Sequence, residues 1–159
     1  MNNLDSRTSQ VFEVTDTTGV PWPNQDHKGR SVVISGDMSP NENLIKYGSG
    51  ADVVIHEVAV ARPELLQKSD VVCRIVANHC TPEEAGKNFA RIKPKLAVYT
   101  HFALFSGEGS TEVTIPEIIA RTRTTYSGPL EAGEDLMPVL IGDKVSVEHN
   151  NQMASKPCP

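Results

Sequence analysis

The sequence has little of what marks secreted or membrane-embedded proteins. It contains three cysteines (Cys73, Cys80 and Cys158) and no Cys-x-x-Cys spacing, which argues against a disulfide framework and favours a reducing compartment. No apolar run approaches the roughly 20 residues of a membrane span, and the N-terminus lacks the basic-then-apolar pattern of a signal peptide. A cytoplasmic location is therefore the default expectation.

Positive charge is also scarce. Fifteen lysines and arginines stand against 20 aspartates and glutamates, which gives a net charge of −5 and a pI near 5.5. The chain has no basic arm, so the composition argues against nucleic acid as a partner. With 159 residues it has room for one domain.

What the chain does contain is a series of apolar runs that end in polar side chains. The polar residues are Asp37, the pair His56-Glu57, His79 and His101, at spacings of 19, 23 and 22 residues. Each spacing is about one strand plus one helix, so the pattern predicts parallel strands whose carboxyl ends meet at one edge of a sheet. Aspartate and histidine at such an edge are typical of metal ligands or acid–base groups.

Local signals divide the chain into elements. We predict strands over residues 31–37, 51–56, 71–77 and from 96 onward, with a further strand over 11–15. Capping boxes starting at Ser39 and Thr81 predict helices, as do residues 61–68 and 116–126. Gly142-Asp143 between two apolar runs predicts a hairpin. The predicted organisation is an N-terminal strand and loop (1–30), a main domain (31–148) and a disordered tail (149–159).

Four motifs, taken together, resemble the metallo-β-lactamase superfamily and within it the ribonuclease Z and arylsulfatase-like branch. They are Ser35-Gly-Asp37-Met-Ser-Pro40, Gly50-Ala-Asp-Val-Val-Ile-His-Glu57, Asn78-His79-Cys-Thr-Pro-Glu-Glu-Ala85 and Thr100-His101-Phe. The match extends over residues 31–141. It implies an α/β fold corresponding to the C-terminal half of an αββα sandwich, with one mixed sheet and flanking helices.

The resemblance also implies roles for individual residues. Asp37 is similar to the aspartate that bridges two metal ions, and His101 to the last metal-binding histidine. His79 is similar to the proton donor of ribonuclease Z, and Glu57 to the carboxylate that orients this donor. His56 is a further catalytic candidate. The implied cofactor is zinc, two ions in a complete site, and the implied activity is hydrolysis of an ester, sulfate ester or phosphodiester bond in a small molecule.

The sequence departs from the family pattern in two ways. The family has Thr after the bridging aspartate, Ser or Thr after the donor histidine and Ala after His-Glu, where this chain has Met38, Cys80 and Val58. The main metal motif of the family, His-x-His-x-Asp-His, is absent from the sequence. We therefore expect a truncated hydrolase that is completed by its missing N-terminal half or by a homodimer.

Two other interpretations remain open. One is a non-catalytic remnant that oligomerises or binds a partner through a sheet face built to meet another sheet. The other is an unrelated doubly wound α/β binding domain whose histidines are structural. Cys80 next to His79 could suggest a nucleophile, but a small residue placed in a loop explains it better because no separate base is evident.

Overall fold

The longest apolar runs of the chain form the two central strands of a parallel sheet. In the computed structural model, which describes residues 29–149, β2 (Val53–Ala61) lies between β1 (Val32–Ile34) and β3 (Leu96–Phe105), and β4 (Leu130–Ala132) pairs with the other side of β3. All three pairings are parallel. Apolar side chains pack on both faces of this sheet, which is why its central strands appear as continuous apolar runs in the sequence.

One face of the sheet is covered by helices. In chain order the helices of the described region are α1 (Glu42–Gly48), α2 (Pro63–Lys68), α3 (Asp70–Ala77), α4 (Pro82–Ile92) and α5 (Ile115–Thr122). Phe89 and Ile92 of α4 pack in one cluster with Leu44 of α1, Ile118 of α5 and Val54 of the sheet, all buried. The position of α4 across the sheet is therefore fixed by a continuous apolar contact.

The start and the end of α4 follow the sequence signals. The Glu84 carboxylate accepts a hydrogen bond from the Thr81 backbone N–H at 2.9 Å, and the Thr81 hydroxyl accepts one from the Glu84 N–H at 3.4 Å. Lys93, just before Pro94, is in the left-handed conformation with φ 57° and ends the helix. The predicted capping box at Thr81 and the predicted stop are confirmed.

The other face of the sheet packs against a β-hairpin. Strands β5 (Val139–Ile141) and β6 (Val145–Val147) are antiparallel and flank Gly142-Asp143, as the sequence predicts. Their apolar side chains lie against Val53, Leu96 and Val98 of the sheet. The α/β fold class is confirmed. It differs from the prediction in one detail, since within residues 29–149 the four-stranded sheet is parallel and the antiparallel pairing belongs to the separate hairpin.

The predicted strand over residues 71–77 is wrong, since this segment is helix α3. A short apolar run does not by itself distinguish a strand from a helix. Here the exposed residues recur every three to four positions, and the Ser69 hydroxyl accepts a hydrogen bond from the Val72 N–H at 3.3 Å and caps the helix. Both edges of β2 are already paired, with β1 and β3. His79 therefore lies in the loop between α3 and α4 and not at the end of a strand.

Smaller differences concern the ends of elements. Helix α1 is capped by Asn41, whose side chain accepts from the Asn43 N–H at 2.7 Å, and not by the predicted box at Ser39. Strand β2 continues to Ala61 past His56-Glu57, and helix α5 ends at Thr122. The predicted strand over 11–15, the first 28 residues of the predicted N-terminal segment and the tail beyond His149 lie outside the described residues.

None of the helices in residues 29–149 combines the length and the apolar character that crossing a membrane would need.

Candidate metal and acid–base site

Three of the sequence-predicted residues meet at the carboxyl edge of the sheet. Asp37 follows β1, His79 lies before α4, and His101 lies within β3. One ligand atom from each of the three residues lies within 4.8 Å of the other two. Asp37 Oδ1 is 3.4 Å from His101 Nε2, and the rings of His79 and His101 stack with centroids 5.8 Å apart. We call these three residues the edge cluster.

A β-bulge places His101 in this cluster. The pairing of β2 with β3 runs from His56 opposite Tyr99 to Val58 opposite Phe102, so the two residues Thr100 and His101 oppose one residue of β2. His101 has φ 43°, a left-handed conformation that few non-glycine residues adopt. Bulges near functional sites commonly redirect a side chain. Here the bulge gives a strand residue an exposed imidazole beside Asp37.

The turn after β1 places Asp37. The Ser35 N–H donates to the Ile55 carbonyl at 2.9 Å. The chain then turns at Gly36, which has φ 61°, a conformation that glycine adopts without a steric penalty. The Asp37 carboxylate is more than half exposed. It is therefore accessible to a ligand from solvent.

The buried Glu57 carboxylate orients the His79 ring. Glu57 Oε2 is 3.1 Å from His79 Nδ1, and Glu57 Oε1 accepts the Cys80 backbone N–H at 2.7 Å. The Cys80 carbonyl in turn accepts the Ala59 N–H at 2.8 Å, which ties the loop to β2. Glu57 is 1% exposed, and burial raises the pKa of its carboxyl group. The pair has the geometry of a histidine and the carboxylate that orients it.

His56 is not brought to the edge cluster. Its ring is fully buried, with Nδ1 2.7 Å from the Glu57 carbonyl oxygen and Nε2 3.3 Å from Asn88 Nδ2. Burial lowers the pKa of His56 to about 4, so the ring is neutral at pH 7. Since Nδ1–H donates to the carbonyl and Nε2 accepts from the amide, neither nitrogen is available. The catalytic role predicted for His56 stays a prediction, and the geometry does not support it.

Cys80 is also buried and cannot act as an accessible nucleophile. Its thiol lies 3.4 Å from the Met38 carbonyl oxygen, to which it donates. Burial raises the pKa of this thiol well above its usual range, which keeps it protonated. Together, His56, Glu57 and Cys80 form a second compact group, fully buried, which we call the inner cluster.

The roles of two residues in this arrangement were missed in the analysis of the sequence alone. Asn88 of α4 donates to His56, and the Ser35 hydroxyl accepts the Glu57 N–H at 3.2 Å. Asn88 did carry a signal, because it is a polar residue on the otherwise apolar face formed by Ala85, Phe89 and Ile92. Ser35 is the first residue of the Ser35-Gly-Asp37 motif, but no local signal assigned it this hydrogen bond, since a serine beside a turn glycine is ordinary.

A cleft of about 250 Å³ opens beside the edge cluster and includes His101. Its apolar part is formed by Ile55, Val98 and Met137, and Glu134 contributes an acidic rim. Gly133 packs closely against β3, and its N–H donates to the Tyr99 carbonyl at 2.8 Å. A Cβ atom at this position would come within 2.4 Å of the same oxygen. A larger cleft of about 480 Å³ lies along α4 and contains none of the edge-cluster residues.

Comparison with known proteins gives a consistent set of relatives. The chain is 31% identical over 120 residues to ribonuclease Z of Myxococcus xanthus (strain DK1622), covering 76% of this chain and 34% of the relative. It is 31% identical over 115 residues to ribonuclease Z of Mycobacterium tuberculosis (strain ATCC 25618 / H37Rv), covering 71% and 40%. The metallo-beta-lactamase fold protein YhfI from Bacillus subtilis superposes with a TM-score of 0.51 at 19% identity, covering 67% of this chain and 38% of that protein.

The chain is a ribonuclease Z-like protein of the metallo-β-lactamase fold. No family model matches the sequence. The predicted resemblance is confirmed by these relatives and by the structural neighbour. The ribonuclease Z-like chain spans well under half the length of the two ribonucleases Z compared above.

The names of the relatives bear on one expectation from composition. Acidity argued against nucleic acid as a partner, yet two proteins that are 31% identical to this chain over 115–120 aligned residues are named ribonucleases. The names of these relatives therefore weigh against that expectation from composition. Net charge is a weak guide to such partners, because a site that binds phosphate through a metal ion does not need a basic surface.

Proposed function

We propose that this chain contributes to a metal-dependent hydrolase that cleaves a phosphodiester bond. The observation that carries the proposal is the edge cluster, in which a carboxylate and two imidazoles lie within 4.8 Å of one another. Behind His79, the buried Glu57 carboxylate holds Nδ1. Similarity to ribonucleases Z supports hydrolase activity by resemblance.

The donor set fits a zinc ion. Zinc sites in proteins use His nitrogen and carboxylate oxygen at about 2.0–2.2 Å, so two ligands of a tetrahedral ion lie roughly 3.3 Å apart. Asp37 Oδ1 and His101 Nε2 are 3.4 Å apart, and we propose these two residues as metal ligands. A divalent ion held there would polarise the scissile ester and lower the pKa of an attacking water.

The proposed role of His79 is to move a proton. With Nδ1 hydrogen-bonded to Glu57, the Nε2 atom is the nitrogen that can give a proton to the departing ester oxygen. Water supplies the hydroxyl that bonds to phosphorus, the P–O bond to the leaving group breaks, and the proton from Nε2 completes the alcohol product. The other proton of the water is released to solvent, from which Nε2 is protonated again. Glu57 stabilises the orientation of the ring and acts through His79 without touching the substrate.

The phosphodiester is preferred over other esters because the relatives are named ribonucleases. Carboxylic esters and sulfate esters use the same chemistry and are the competing substrates. A complete site with two zinc ions would need ligands beyond Asp37 and His101, since catalytic zinc has about three protein ligands per ion. We propose two ions for the complete site, with the further ligands supplied by residues other than Asp37 and His101.

The test is hydrolysis by the purified 159-residue chain with added zinc or manganese. The substrates are bis(p-nitrophenyl) phosphate, p-nitrophenyl sulfate, p-nitrophenyl acetate and a short single-stranded RNA. We expect metal-dependent turnover of a phosphodiester above the rate of metal alone, and its loss in Asp37→Ala and His79→Ala.

The matched control is Asp143→Ala, which removes an exposed carboxylate from the hairpin turn and should keep the wild-type rate. Preference for the sulfate or the acetate would reassign the substrate class. Equal turnover by wild type and Asp37→Ala, or none with any substrate, would contradict the proposed function.

A non-catalytic, partner-binding role is the second candidate. Its support is the hairpin side of the sheet, where Val32, Ile55 and Val139 are only partly buried. Such a surface favours association. Light scattering on the same preparation tests this candidate, since a dimer without any metal-dependent turnover would favour it over the hydrolase.

A further inference from the structure

One ring nitrogen of His79 is already used in a hydrogen bond within the protein. Nδ1 lies 3.1 Å from the buried Glu57 oxygen, and Glu57 is itself fixed by the Cys80 N–H at 2.7 Å. The tautomer that satisfies this contact carries its proton on Nδ1 and leaves a lone pair on Nε2. Metal-binding histidines in proteins almost always show this arrangement, with the second nitrogen donating to a carboxylate or carbonyl.

The position of the His79 ring, like its tautomer, is that of a metal ligand. Its ring stacks on that of His101 at an interplanar angle of 28°, and its ligand atom falls within 4.8 Å of those of Asp37 and His101. The side chain is 13% exposed, so its ring is held while the two other residues are accessible. Three side chains from three separate segments thus each bring one possible ligand atom within 4.8 Å of the other two.

We propose that His79 is a third protein ligand, so that Asp37, His79 and His101 hold one divalent transition-metal ion of the zinc class within this chain alone. The inference rests on the proposed function, in which Asp37 and His101 are metal ligands. It adds His79 as a ligand, whereas the proposed function uses His79 as a proton donor. Two imidazoles and a carboxylate with an open fourth position match the ligand number of catalytic zinc. No ligand from another chain is required for this single-ion site.

The two roles of His79 exclude each other at any one moment. Nε2 uses the same lone pair to bind an ion or a proton, so an ion bound in this mode removes the proton donor. A preparation saturated with zinc through His79 should therefore turn over phosphodiester more slowly than one in which the ring is free. Metal affinity without substrate reports on the ligand role alone.

The experiment is a zinc competition titration of the full chain against a chromophoric chelator, with folding checked by circular dichroism. We expect wild type to bind zinc stoichiometrically. The zinc affinity of His79→Ala should be lower by more than about 30-fold, since even replacing a residue that only hydrogen-bonds to a metal ligand typically lowers metal affinity by about 10- to 100-fold. Glu57→Gln keeps one acceptor oxygen for two donors and should weaken binding by about 10-fold.

The matched control is His149→Ala. His149 is a half-exposed histidine paired with Glu134 at 3.3 Å and lies outside the edge cluster, so its loss should change zinc affinity by less than about 2-fold. Unchanged affinity in His79→Ala would overturn the inference while leaving the proposed function intact. Absence of zinc binding by folded wild type would overturn the inference as well.

Nitrogen NMR keeps the inference testable if His79→Ala does not fold. In the wild-type chain, zinc should shift the Nε2 resonance of His79 together with that of His101, and the His56 resonances should stay unchanged because both nitrogens of His56 are already bonded. A shift at His101 alone would overturn the ligand role of His79. Turnover measured in parallel shows separately whether the proposed hydrolase function holds.

Discussion

The edge cluster and the inner cluster are built from the same kinds of side chain, but they differ in solvent access. Asp37 and His101 in the edge cluster have side chains 60% and 54% exposed. In the inner cluster, His56 and Glu57 are at most 1% exposed, and every buried side-chain polar atom of the described residues has a hydrogen-bond partner. The edge cluster can therefore take a ligand, whereas the inner cluster is occupied with holding the loop and the strand.

The comparison separates two functions of charged and polar residues. Exposed groups cost little to keep and contribute little to stability, so they are available for chemistry. Buried groups must be fully paired, and they then fix one arrangement of the backbone around them. Glu57 joins the two clusters, because its carboxylate holds the His79 ring on one side and the Cys80 backbone on the other.

Removing the joining carboxylate should have the largest effect on stability. Glu57→Ala leaves the buried Cys80 N–H without an acceptor and opens a cavity, and we expect a loss of about 2–3 kcal/mol in the free energy of unfolding. Urea denaturation followed by circular dichroism measures it. Asp37→Ala in the exposed cluster is the control and should leave the midpoint nearly unchanged. Equal losses in both variants would erase the distinction between the clusters.

The pH dependence of stability tests the buried state of His56. Its pKa is lowered by burial from 6.5 to about 4, so the unfolded chain binds more protons between these values and stability falls as pH drops below about 6.5. From pH 7 to pH 5 this single group should remove about 2 kcal/mol of unfolding free energy.

Comparison with His56→Gln isolates that contribution. The raised pKa of Glu57 acts in the opposite direction but is present in both proteins, so it largely cancels in the difference. We expect the wild type to lose about 2 kcal/mol more than the variant between the two pH values. Parallel losses in the two proteins would show that His56 is solvated and protonates normally.

The smallest effect is expected at Asn88. Asn88→Leu removes the donor to His56 Nε2 and leaves a buried acceptor unpaired, which should cost about 1 kcal/mol in the free energy of unfolding. Zinc affinity should stay within about 2-fold, because the Asn88 side chain donates to His56 and Cys80 of the inner cluster and is not part of the edge cluster. A loss of zinc affinity with unchanged stability would mean that the two clusters are coupled through β2.

The sequence alone predicted those elements whose signals are local. The Thr81 capping box and the stop at Lys93-Pro94 act within one turn of helix α4, and Gly142-Asp143 acts within one hairpin, so neighbouring residues suffice to specify them. The apolar runs of β1, β2 and the first part of β3 were predicted for a similar reason, since strands buried on both faces have no polar alternation. Four short motifs also sufficed for the family resemblance.

The candidate site was only partly predictable. Asp37, His79, His101 and Glu57 were selected from the sequence, and the structure brings all four together. The spacing that suggested them was misleading at His79, because residues 71–77 are helical and the loop, not a strand end, carries this histidine. His56 lies next to Glu57 in the chain, but its ring is enclosed in the inner cluster and does not reach the edge cluster. Adjacency in the sequence could not show this difference.

Tertiary structure decided three features for which no local signal exists. Residues 71–77 become α3 because the edges of β2 are taken by β1 and β3, and pairing is a property of the whole sheet. The bulge at Thr100-His101 depends on the register between two strands whose paired residues lie 43 or 44 positions apart in the chain, from His56 opposite Tyr99 to Val58 opposite Phe102. The pairing of His56 with Asn88 required α4 to pack on the sheet. Local chemistry thus determined the elements, and only long-range packing determined which side chains face solvent and which are buried.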